Sequence, residues 1–154
     1  MPKPKVLILT GSKNDLEQLK PTEDILKQFN IPYEIVVSSA HRNPDRTRKL
    51  ATQAEKRNIK VIIAAAGMAA HLAGVVASLT TLPVIGIPLL GSYFRGIDSF
   101  LATLQMPAGT PVATVAVGSH GTRNAAILAA QILSLSDNKL KKRLKRFKAE
   151  LAEK

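Results

Sequence analysis

Five short runs of aliphatic and β-branched residues punctuate this 154-residue chain, and longer, more polar stretches fill the gaps between them. The runs are Lys5 to Thr10, Tyr33 to Val37, Val61 to Ala65, Pro83 to Pro88 and Val112 to Val117. Runs of this length and composition read as strands, and the segments between them carry apolar residues three or four apart, as amphipathic helices do. Antiparallel strands can be joined by tight turns, whereas parallel neighbours need a crossover of about a dozen residues or more. Every gap here is of crossover length. Strict alternation therefore predicts an α/β fold, a three-layer α/β/α sandwich built on a parallel sheet.

Five strands suit the flavodoxin-like order 2-1-3-4-5. The first helix has Leu16, Leu19, Ile25, Leu26 and Phe29 on one face, with Asn14 and Asp15 as caps. Pro21 would cost about 3 kcal/mol in a helix interior, so the spacing predicts a bend near Lys20 or a helix that starts afresh at Pro21. Tyr33–Val37 reads as a buried strand. Asn43-Pro44 reads as an N-cap and first-turn proline for a helix reaching Arg57. Short helices follow through Leu79 and over Ile97–Leu104. The segment from Gly118 to Thr122, with His120 as a terminus residue, turns into an alanine-rich helix over Asn124–Leu135. Its alanines 125, 126, 129 and 130 allow close approach to the sheet or to another subunit. No repeat or linker interrupts residues 1–154, which read as a single domain. Residues 137–154 form a C-terminal helix expected to pack on the fold or on a neighbouring subunit through Leu140, Leu144, Phe147 and Leu151.

The formal charge is +11. Eight Lys/Arg against three Asp/Glu from Asp137 onward supply +5 of it, so the excess is not confined to that helix. A basic chain attracts anions in general, phosphorylated metabolites included. The absence of cysteine excludes disulfides and thiolate chemistry. No apolar run is long and uncharged enough to span a bilayer, and Met1 to Lys5 has no signal-peptide pattern. The expectation is a cytoplasmic protein with no membrane partner, and with nucleic acid not expected as one.

Chemistry concentrates in three loops. The carboxyl ends of the first three strands carry Gly11-Ser12, Ser38 to Arg42 and Gly67 to Gly74, and the order 2-1-3-4-5 brings these to one switch point. They offer hydroxyls, glycine backbone, the Asp15 carboxylate, the Arg42 guanidinium and the imidazoles of His41 and His71. A fixed cation beside an imidazole suits phosphate binding with proton transfer. Gly-x-Gly-x-x-Gly, Walker lysine and Gly-x-Ser-x-Gly patterns are missing, and no histidine has a partner at zinc-ligand spacing.

Four stretches taken together resemble a known family. They are Gly11-Ser12-Lys13-Asn14-Asp15, Ser39-Ala40-His41-Arg42-Asn43-Pro44, Ala66-Gly67-Met68-Ala69-Ala70-His71-Leu72-Ala73-Gly74, and Gln105-Met106-Pro107-Ala108-Gly109-Thr110-Pro111-Val112. In this order, up to about Leu135, the chain is similar to the catalytic subunit of the phosphoribosylaminoimidazole carboxylases. Within them it resembles the class I enzymes, the N5-carboxyaminoimidazole ribonucleotide mutases of de novo purine synthesis.

The resemblance implies a homo-octamer with sites at subunit junctions, acting on a phosphorylated aminoimidazole ribonucleotide without metal, biotin or nucleotide cofactor. It implies transfer of a carboxylate from the exocyclic N5 to ring carbon C4 through carbon dioxide held in the pocket. By the same resemblance His41 removes the C4 proton, with His71 as second catalytic residue. Substrate contacts fall on Ser12, Asn14, Asp15, Ser39, Ala40 and Arg42, and on Gly67, Met68, Ala70 and Leu72. Three positions depart from the family pattern: Asn14 for serine, Met68 for glycine and Ala73 for proline. Two alternatives stand beside this reading. One is a class II enzyme that carboxylates aminoimidazole ribonucleotide with carbon dioxide directly. The other is a non-enzymatic anion- or nucleic-acid-binding module on the same fold.

Overall fold

A computed structural model describes residues 2–153. Its sheet has five strands, β1 (Val6–Thr10), β2 (Tyr33–Val37), β3 (Val61–Ala66), β4 (Val84–Pro88) and β5 (Ala113–Thr114). All neighbours are parallel, in the order β2-β1-β3-β4-β5. The six helices are α1 (Lys20–Gln28), α2 (Pro44–Gln53), α3 (Leu72–Ala77), α4 (Ile97–Leu104), α5 (Ser119–Ser134) and α6 (Asn138–Ala152). The three-layer arrangement is the one the alternation predicts, and the strand order is the flavodoxin-like one that five strands suit.

Buried side chains divide between the two faces of the sheet because alternate strand residues point to opposite sides. Val6, Ile8, Ile63 and Ile85 meet Leu26, Phe29 and the alanines of α5 on one face. Leu7, Leu9, Ile62 and Ala64 meet Ala51, Leu72 and Val76 on the other. Alanines 125, 126, 129 and 130 are fully buried. Their small size lets α5 lie close to α1, where buried Thr22 donates its hydroxyl to the Thr122 carbonyl at 2.8 Å.

Several local readings need correction. Asn14 and Asp15 do not cap the first helix; Ser12 accepts from the Asn14 N–H, and two 3-10 turns, Lys13–Asp15 and Glu17–Leu19, precede α1. Pro21 then sits in the first turn of α1, where its missing N–H is harmless. Every residue of β2 is only partly buried, because β2 is an edge strand with a neighbour on one side. Beyond Gln53, α2 gives way to a 3-10 turn (Glu55–Arg57) closed by Asn58 in a left-handed conformation.

Ladder pairing in the last run covers only Ala113–Thr114 rather than Val112–Val117. Pro111 offers no donor, and beyond Thr114 the chain stays beside β4 by bonds from Val115 N–H to Gly86 (3.1 Å) and Gly118 N–H to Pro88 (3.3 Å). Next, α5 begins at Ser119, not Asn124. Gly118, at φ 76°, makes the entry, and Gly121 packs so closely that a Cβ would overlap the Ala116 carbonyl oxygen. His120 accordingly lies in the first turn of α5.

Asp137 caps α6 by accepting from the N–H groups of Lys139 and Leu140 at 3.1 and 3.0 Å. Leu140 and Leu144 are buried, and Phe147 meets Phe29 edge to face at 5.3 Å. Leu151, expected in the same stripe, is 47% exposed because the core on that side ends at Phe147. Among the described residues no helix is long and apolar enough to cross a membrane.

Candidate active site

The three loops do converge. They wall a cleft of about 710 Å³ at the carboxyl edge of the sheet, and the segment after β4 forms its fourth side. From the β1 end come Gly11, Ser12, Asn14 and Asp15; from the β2 end Ser39, Ala40, His41 and Arg42. The β3 end supplies Ala66, Gly67, Met68 and Ala69, with Leu72 from α3.

Each loop has a local reason for its shape. After β1, Ser12 turns the chain by accepting from Asn14 N–H at 3.2 Å, which aims Asp15 back toward the strand end. Thr10 donates its hydroxyl to the Asp15 carboxylate at 3.2 Å. Burial raises the Asp15 carboxyl above its ordinary value, while the Thr10 bond, a backbone bond from Ser12 and the Arg42 charge pull the other way.

After β2, Ser38 stays tied to the sheet through its N–H to the Thr10 carbonyl (2.8 Å) and shares a buried hydroxyl pair with Thr47 (2.8 Å). The next turn closes when Arg42 N–H bonds the Ser39 hydroxyl oxygen and Asn43 caps α2 by accepting from Arg46 N–H, both at 3.2 Å. Arg42 is thereby aimed across the cleft, where Nη2 donates to the Gly11 carbonyl at 3.0 Å. One guanidinium donor is used in this way, and the planar group has five.

The β3 loop is the most tightly wound. Ala70 N–H bonds the Met68 carbonyl at 2.9 Å and His71 N–H bonds the Ala69 carbonyl at 2.8 Å. Met68 is held at φ 54°, in the region a glycine occupies without strain. The winding turns His71 toward the second loop, where its Nδ1 lies 2.9 Å from His41 Nε2. The rings meet edge to face, with centroids 4.9 Å apart and planes at 88°. At this distance one ring nitrogen donates and the other accepts, whichever tautomers are present, and such a pair can take and return a proton beside the cleft.

Ten of the twelve residues singled out in the sequence line this wall, and His71 joins it through His41. Ala70 does not; it is 1% exposed and lies beneath the loop. Sequence reasoning missed Gln18, Leu90 and Gly91, which complete the fourth side. Gln18 reads as one more polar helix position and Leu90 as part of an irregular linker, so only their pairing in space could have found them. Among the described residues no cluster of three or more His, Asp or Glu is placed to hold a metal ion.

The match that decides the family spans residues 5–154, which fit the model described as AIR carboxylase. The chain belongs to the AIR carboxylase family. Within this family it is 52% identical to the N5-carboxyaminoimidazole ribonucleotide mutase of Saccharolobus solfataricus over 148 residues, 96% of this chain and 92% of the relative. It is also 52% identical to the Bacillus subtilis protein of the same name over 141 residues, 92% and 87% of the two chains. Among solved structures, Treponema denticola PurE superposes with a TM-score of 0.88 at 31% identity, covering 97% of this chain and 92% of that one.

Proposed function

We propose that this chain is an N5-carboxyaminoimidazole ribonucleotide mutase, converting that substrate to 4-carboxyaminoimidazole ribonucleotide in purine biosynthesis. The observation that carries the reading is the 2.9 Å approach of His41 to His71 on a cleft that also holds Arg42, Ser12 and Asp15. Relatives of that name at 52% identity support it.

In this reading the free donors of Arg42 and the hydroxyls of Ser12 and Ser39 bind the phosphate, since a guanidinium grips phosphate oxygens in pairs. Asp15 accepts from the ribonucleotide, and Asn14 flanks it. Cleavage of the N5–carboxylate bond yields carbon dioxide and aminoimidazole ribonucleotide. Ala40, Gly67, Met68, Ala70 and Leu72, on or under the wall, keep carbon dioxide away from water. The ring carbon C4 then attacks it, and His41 takes the C4 proton, which replaces the one N5 took up as its carboxylate left, so nothing is consumed. His71 shares the proton with His41.

The same reading makes the chain a single cytoplasmic domain, residues 1–154, that works as a homo-octamer. Exposed apolar groups support association: Ile97, Leu101 and Leu104 on α4 are 64%, 49% and 45% exposed, beside exposed Tyr93 and Phe94. The test is an assay on the N5-carboxylated ribonucleotide against aminoimidazole ribonucleotide plus bicarbonate. Turnover of the first without bicarbonate is expected; turnover of only the second would make the chain a direct carboxylase.

A further inference from the structure

One side chain bridges the fourth side of the cleft to the loop after β1. Gln18 Nε2 donates to the Leu90 carbonyl at 3.0 Å, and Leu90 N–H donates to Gln18 Oε1 at 3.2 Å, across 72 positions of sequence. Leu90 is the second residue past β4. Leu89 still continues the sheet, its N–H on the Ala66 carbonyl at 2.9 Å. The next peptide groups have run out of strand, and the Gln18 carboxamide supplies the donor and acceptor that a neighbouring strand would.

Beyond Leu90 the chain leaves the sheet and runs along the surface. Gly91 stands at φ 148° and Gly96 at φ 86°, and between them Tyr93 is 104% and Phe94 69% exposed. On the opposite flank the Gly67 backbone approaches the same wall, where a Cβ would lie 3.5 Å from the Leu89 and Leu90 carbonyl oxygens. Gln18 therefore presses Leu90–Gly91 against the β3 loop, closing the side of the cleft next to His71's loop.

We propose that Gln18 is a positioning residue that seals this wall and thereby sets how often released carbon dioxide is recaptured, an inference that rests on the mutase reading. Once the N5–carboxylate bond has broken, two fates compete. Recapture forms the C4–carboxylate bond with loss of the C4 proton; escape leaves aminoimidazole ribonucleotide and free carbon dioxide. A wall that opens between the two steps favours escape without touching the reacting atoms.

The test uses the full chain and its Gln18→Met and Gln18→Glu variants with N5-carboxyaminoimidazole ribonucleotide. Initial rates of 4-carboxylated product and of free aminoimidazole ribonucleotide are measured, corrected for uncatalysed decay, and thermal unfolding is recorded alongside. Methionine matches glutamine in length but makes neither bond; glutamate keeps the acceptor and loses the donor. The ratio of escape to recapture is expected to rise roughly tenfold in Gln18→Met, and by less in Gln18→Glu. A folded Gln18→Met with the wild-type ratio overturns the proposal, as does a loss of rate that leaves the ratio unchanged. Should Gln18→Met fail to unfold cooperatively, a wild-type ratio in Gln18→Glu overturns it instead. Wild type inert on this substrate would defeat the mutase reading itself, a separate result.

Discussion

His41 and His71, thirty residues apart in sequence, face each other ring edge to ring face with Nε2 2.9 Å from Nδ1. Neither loop makes this contact alone: Asn43 and Pro44 start α2 behind His41, while the turn at Met68 swings His71 inward. The pair has room for one bridging proton, and a second would set N–H against N–H. Asparagine at 71 can keep a polar atom near the Nδ1 position but cannot carry the proton. His71→Asn should therefore lower kcat about tenfold and displace the pH profile of kcat, with KM little changed. An unaltered profile would reduce His71 to a structural contact.

Arg42 reaches Gly11 with one donor and keeps the rest facing the cleft. Charge-assisted hydrogen bonds are worth about 1.5–3 kcal/mol each. Arg42→Ala should raise KM for the phosphorylated substrate by roughly tenfold to a hundredfold, with a smaller fall in kcat. Steady-state kinetics check this, and an unchanged KM would count against phosphate binding at this position.

Asp15 carries a burial cost when ionised. Its folded-state value lies above the unfolded one, so the penalty is absent below about pH 3.9 and grows in as pH rises through the raised value. Asp15→Asn removes the charge and can still accept from Thr10. Thermal melts should place Asp15→Asn above wild type at neutral pH, with the gap closing in acid, while affinity for the ribonucleotide falls. A gap that widened in acid would reverse the sign of this argument.

Met68 sits at φ 54°. A side chain there costs roughly 1–2 kcal/mol, which alanine also bears and glycine does not. Glycine loses about 0.5–1 kcal/mol through its freer unfolded chain. Met68→Gly should thus unfold at a denaturant midpoint above that of Met68→Ala, by a few tenths to about 1 kcal/mol in stability. The reverse order would mean that the turn has another backbone geometry in solution.

Alternation of strand and helix was enough to read a parallel three-layer sandwich, and the flavodoxin-like order suited its five strands, though periodicity alone does not fix a strand order. The three loops could be read for the same reason: Ser12, His41, Arg42 and Gly67 sit where strands end. What could not be read depends on distant pairs. Gly121 looks like a turn residue until the Ala116 carbonyl is found against its Cα. Val112 to Val117 has strand composition, yet an edge position after Pro111 leaves two paired residues. Gln18 differs from any other surface glutamine only by the Leu90 backbone 72 positions on. Ala70 belongs to a functional stretch by the family resemblance, but the winding around Met68 buries it.

The central claim, that His41 moves the C4 proton in a carboxylate transfer within one molecule, meets its most direct test in a single comparison. Wild type and His41→Asn are given N5-carboxyaminoimidazole ribonucleotide without bicarbonate, and formation of the 4-carboxylated product is followed. The account expects steady turnover by wild type and a rate lower by about 10²–10⁴-fold in the variant. Comparable rates from the two proteins would contradict it.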